Sequence, residues 1–149
     1  NTDERINHYS DSNPVIVALG ASAGGLEALK AFFREVPSDS PLGFVVIQHM
    51  WPHHESSMAE LLSHCSDIPV EEIEGDVRVE ASRAYVIPPN RQLDLDDHVL
   101  KLSPESGSRS PRMRIDHFFA SLARQQGPRS LAVVLSGSGS VIFSPPLSS

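Results

Sequence analysis

Apolar and polar positions alternate between two periods along this chain, and the changes of period mark its elements. Val15-Ile16-Val17-Ala18-Leu19 is an unbroken apolar run, which predicts a buried parallel strand over 15–19. Leu26, Leu29, Phe32 and Phe33 then recur at spacings of three and four, predicting a helix from about 23 to 35 that stops before Pro37. A second run, Gly43 to Gln48, predicts another central strand. Met58, Leu61 and Leu62 share one face of a helix expected over about 54–64, with Pro52 just ahead of it. Residues 68–72 read as short and extended, and Ala84-Tyr85-Val86-Ile87 as a strand halted by Pro88-Pro89. Period-two alternation from Gln92 to Leu95 and His98 to Leu102, around Asp96-Asp97, predicts a hairpin. Residues 103–112 are rich in Ser, Pro and Arg and read as a surface loop. Ile115, Phe118, Phe119 and Leu122 predict a helix over about 114–126, and Leu131 to Leu135 a last buried strand. Apolar strands alternating with helices predict an α/β fold: an open, mostly parallel, doubly wound, Rossmann-like three-layer sheet with a small hairpin excursion. In such sheets a site lies beyond the carboxyl ends of the strands.

The totals narrow the class. At 149 residues, 40% hydrophobic and 21% charged, the chain has the size and make-up of one soluble domain. A net charge of −7 argues against a nucleic-acid surface, and the arginines at 109, 112 and 114 read as a solvated cluster. The single cysteine, Cys65, excludes an internal disulfide and fits the reducing cytoplasm. No apolar run approaches a membrane span, so no membrane insertion is expected. Residues 1–13 are polar and aperiodic and read as an arm or linker. A chain that begins at Asn is expected to be a fragment, a processed chain or part of a larger protein.

The chemistry concentrates after strand ends. Gly20-Ala21-Ser22-Ala23-Gly24 reads G-x-S-x-G between a strand and a helix, the setting that exposes a serine hydroxyl on a sharp bend. A dinucleotide fingerprint would need glycine at Ser22 and an acid after the second strand, where Gln48-His49 stands instead. On the loop alone, an unreactive glycine-rich turn stays open. His49, His53, His54 and Glu55 carry metal-binding residue types, but neighbours at a helix start point in different directions. A solvated helix end is the stronger reading, and neither metal nor cofactor is expected. His117 reads as a surface or satisfied core residue, and Trp51 and Met50 as walls of a groove or as packed side chains.

Taken together, Gly20 to Gly25, Gln48-His49-Met50, Pro88-Pro89 and Leu135-Ser136-Gly137-Ser138-Gly139-Ser140 resemble the catalytic domain of the bacterial chemotaxis protein-glutamate methylesterases, the CheB type. The resemblance runs over residues 14–140. Residues 51–56 and 114–116 look most like versions fused to a receptor methyltransferase. It implies hydrolysis of glutamate γ-methyl esters on chemoreceptor helices, with glutamine deamidation as a related activity. It also implies Ser22 as nucleophile and His49 as base. Ala23, Ser138, Gly139 and Met50 complete the implied oxyanion and cleft set. The family's triad aspartate, followed by glycine, has Val141 in its place here. Residues 141–149 read as a tail outside the family pattern. Loss of that carboxylate costs about 10⁴ in turnover in serine proteases, so a catalytically weakened domain that docks on receptor or partner is the alternative function. Asp116 and Asp97 are the substitutes weighed for the missing acid, with helix-flanking and hairpin-turn roles favoured for them. Ending there also leaves the last strand as an expected uncovered edge.

Overall fold

The computed structural model describes residues 14–21, 25–48, 58–88, 91–104, 111–135 and 141–144. Nine strands and three helices alternate among them. The strands are β1 (Val15–Ala21), β2 (Leu42–Gln48), β3 (Val70–Glu72), β4 (Val77–Arg78), β5 (Arg83–Val86), β6 (Arg91–Asp96), β7 (Val99–Pro104), β8 (Ser130–Leu135) and β9 (Val141–Ser144). The helices are α1 (Leu26–Arg34), α2 (Met58–Ser63) and α3 (Pro111–Gln126). Six strands form the main sheet in the order β3-β5-β2-β1-β8-β9. Its pairs are parallel except the last, β8 with β9. A second, antiparallel sheet of three strands has the order β4-β7-β6.

Alternation along β1 assigns the two faces. Val17, Leu19 and Ala21 join Leu29 and Phe33 of α1 and Met58, Ala59 and Leu62 of α2 in one apolar cluster. Ile16 and Ala18 join Leu93, Leu95 and Leu100 of the small sheet and Ile115, Phe118 and Leu122 of α3 in the other. Successive strand residues point to opposite faces, so a strand covered on both sides must be apolar throughout. The first layer is tied by Phe32, Phe33 and Phe44, whose rings meet edge to face with centroids 5.3–5.8 Å apart. Apolar positions and a helix on each side give the doubly wound architecture expected from the sequence.

Two glycines set the spacing between layers. A Cβ on Gly20 would lie 3.0 Å from Cγ2 of Ile115, so its absence lets α3 rest close on the end of β1. A Cβ on Gly43 would lie 2.5 Å from Cγ1 of Val79 and 3.0 Å from the Glu80 carbonyl oxygen.

Several boundaries differ from the sequence reading. α1 begins at Leu26 rather than near 23. α2 is described from Met58 onward, residues 51–57 lying outside the described residues. The stretch read as a loop over 103–112 is partly ordered structure: β7 continues to Pro104 and α3 starts at Pro111. Proline fits a first helical position because the N–H it lacks has no intrahelical partner there. β4 was not foreseen. Neither was β9, which corrects the expectation of a bare β8 edge: Ala132 to Leu135 pair with Ser144 to Val141.

Candidate active site

Ser22, Ala23, His49, Met50, Ser138 and Gly139 lie outside the described residues. The frame that leads into them is described. Ala21, the residue before Ser22, pairs with Gln48, the residue before His49, and on its other side with Leu135, the residue before the 136–140 loop. Three adjacent parallel strands therefore end on one rung, with β1 in the middle. Neighbouring strands lie about 4.8 Å apart, so the chain leaves the sheet at three close points on one edge. On and below that rung Leu19, Ala21, Ile47, Val133 and Leu135 are buried, which gives the three strand ends a dry apolar floor.

A strand precedes the serine motif and a helix follows it, the two flanks that a nucleophile elbow requires. β1 ends at Ala21, α1 starts at Leu26, and Gly25 caps the helix without a side-chain hydrogen bond. Gly25 has no side chain to cap the first-turn N–H groups of α1, and the positive end of the helix dipole follows the motif in the chain.

The two alternative carboxylates are placed away from this rung or turned from it. Asp97 sits in the β6–β7 turn with φ 55°, its N–H donating to Oε1 of Gln125 at 2.9 Å, near the carboxyl end of α3. Asp116 is exposed on α3, while Ile115 beside it packs inward. Arg109 lies outside the described residues, and Arg112 and Arg114 occupy the first turn of α3. His117 is a satisfied residue, with Nε2 2.6 Å from Oδ1 of Asp94 on β6. Cys65 is partly buried just past α2, with the Arg34 guanidinium 3.8 Å from its sulfur.

One residue passed over in the sequence follows closely in the chain on the carboxyl end of β5. Arg91 opens β6, four residues after Ile87, whose N–H donates to the Val46 carbonyl at 3.1 Å beside the end of β2. Its Nε is buried with no hydrogen-bond partner among the described residues. A lone arginine beside Asn90 reads as solvated, and its burial becomes visible only in the fold.

The CheB methylesterase family model matches residues 17–140. The chain belongs to the CheB methylesterase family. A protein-glutamate methylesterase/protein-glutamine glutaminase of Photorhabdus laumondii is 33% identical over 133 residues, spanning 87% of this chain and 38% of its own. Its counterpart in Geobacter metallireducens is 35% identical over 132 residues, spanning 86% and 36%. That of Escherichia coli K12 is 32% identical over 132 residues, spanning 86% and 38%. The chain thus covers little more than a third of these relatives. The crystal structure of the Thermotoga maritima CheB methylesterase catalytic domain shares the fold, with a TM-score of 0.68 at 24% identity over 82% of this chain and 67% of that one.

Proposed function

We propose that this chain is the catalytic domain of a protein-glutamate methylesterase, acting in the cytoplasm on γ-methyl esters of chemoreceptor helices. The observation that carries the reading is the shared rung of Ala21, Gln48 and Leu135, the residues that immediately precede Ser22, His49 and the 136–140 loop in the chain. Family membership supports the reaction class. In this reading Ser22 Oγ attacks the ester carbonyl carbon as His49 takes the hydroxyl proton. Backbone N–H groups near Ala23 and in the 138–139 loop hold the oxyanion, and Met50 walls the cleft. Collapse of the tetrahedral intermediate expels methanol, which takes the proton from His49. Water then repeats the sequence on the acyl-enzyme and leaves a free glutamate. With glutamine as substrate the leaving group is ammonia.

A receptor methyltransferase, fused or bound, is the partner that would supply these esters. A second reading, a receptor- or partner-docking domain with weakened catalysis, is favoured by Val141. It stands where the family has its aspartate, and it is paired with Leu135 in the ladder. The deciding experiment is labelling by a serine-directed fluorophosphonate, read by intact mass beside Ser22→Ala and His49→Ala. Labelling that requires both residues is the expected result. Absence of labelling in a cooperatively melting protein leaves the docking domain as the function.

A further inference from the structure

We propose that Arg91 is a specificity-determining residue that binds a free carboxylate flanking the target ester on an acidic peptide segment; this rests on the esterase reading above. Arg91, Leu93 and Leu95 alternate on one face of β6. Leu93 and Leu95 are 4% and 3% exposed and belong to the cluster under the main sheet. Arg91 continues that row at the end of β6 that follows β5 in the chain. β5 is paired with β2 through Val86 and Val46, and the chain reaches Arg91 shortly after leaving it.

A guanidinium there is costly without an acceptor. Its Nε is shielded from water yet makes no hydrogen bond among the described residues, and the Oε1 of Gln92 beside it in sequence is likewise buried and unpaired there. An unpaired buried donor loses its hydration with nothing in return, more so when it is charged. Arg83 illustrates the contrast, facing Glu71 and Glu80 at 3.9 and 3.6 Å. The closest acid to Arg91 along β6, Asp94, is held by His117. Arg91 is therefore left for an anion that arrives from outside, and the fork of a guanidinium matches a carboxylate. The ligand class that fits is a peptide with glutamate or aspartate beside its methylated glutamate.

The test uses the full chain with Ser22→Ala, so that the ester persists, and a fluorescein-labelled peptide carrying one glutamate γ-methyl ester flanked by glutamates. A second peptide has glutamines at the flanking positions. Fluorescence anisotropy should show the acidic peptide binding more tightly. Arg91→Gln should weaken that peptide by about tenfold and leave the glutamine peptide unchanged. Arg91→Lys should keep part of the preference, since it retains charge without the fork. Equal binding of both peptides to the parent chain overturns the proposal, whether or not the variants fold. So does equal loss of both peptides in Arg91→Gln. Fluorophosphonate labelling of the Ser22 chain is scored separately. Labelling without peptide discrimination removes only the role of Arg91, and discrimination without labelling removes only the esterase.

Discussion

Gly43 shows how much of this fold hangs on one missing methyl group. A Cβ there would press 2.5 Å from Val79 Cγ1 and 3.0 Å from the Glu80 carbonyl oxygen, and backbone cannot swing aside as a side chain can. Gly43→Ala should destabilise the protein by about 1–3 kcal/mol, read as a lowered midpoint in chemical denaturation. Ser121 is 2% exposed, and its hydroxyl accepts from the Leu95 N–H at 2.9 Å and donates to the Leu95 carbonyl at 3.2 Å. It therefore satisfies both backbone groups where β6 meets α3. Ser121→Ala orphans them and should cost about 1–3 kcal/mol by the same assay. Tyr85 gives a pH signature. Its hydroxyl accepts from the Glu80 N–H at 2.9 Å, and burial pushes its ionisation above the ordinary value of 10.0, opposed by that hydrogen bond. A raised folded pKa means that Tyr85's contribution is complete below pH 10.0 and is lost as pH rises through the folded value, because the unfolded chain ionises first. Denaturation midpoints on either side of pH 10.0 should show this loss, and Tyr85→Phe should flatten it.

At the scale of elements, β9 decides what a restored carboxylate can do. Val141 pairs with Leu135, and in the order β2-β1-β8-β9 it stands three strands from the one that leads to His49. Three steps of about 4.8 Å place the two strands about 14 Å apart. An aspartate side chain does not span that gap unless the imidazole also leans across β1. Val141→Asp should therefore raise methyl-ester hydrolysis by far less than the roughly 10⁴ a well-placed triad acid supplies. Turnover of a γ-methyl ester peptide by both proteins measures this. A gain approaching 10⁴ would show that residue 141 approaches His49 despite the strand pairing. The β6–β7 hairpin, by contrast, has a geometry that excludes Asp97 from the same role, because its turn lies beside Gln125 near the end of α3.

For the whole molecule, what was legible in the sequence follows from which forces act locally. Val15 to Leu19 announces a central strand because both faces are covered, so every position is apolar, and Leu131 to Leu135 is an equally unbroken apolar run. Gln92 to Leu102 announces a hairpin because Leu93, Leu95 and Leu100 alternate with polar residues. The order of strand ends was legible too, since Ser22, His49 and Ser136 each follow such a run. Arg91 was not, because its neighbourhood depends on where β5 leaves the sheet rather than on adjacent residues. β9 was not, because Val141-Ile142-Phe143-Ser144 is short, precedes two prolines and gains its structure from β8 rather than from its own pattern. That dependence runs both ways and yields a test. Without β9 the N–H and C=O groups of β8 along Ala132 to Leu135 lose their partners and present an edge for another chain. Removing residues 141–149 should lower the melting temperature and make the elution volume in size exclusion depend on protein concentration, with light scattering reporting dimers or larger species. A shortened chain that melts unchanged and stays monomeric across the same concentrations would mean that β9 contributes nothing to the edge it covers.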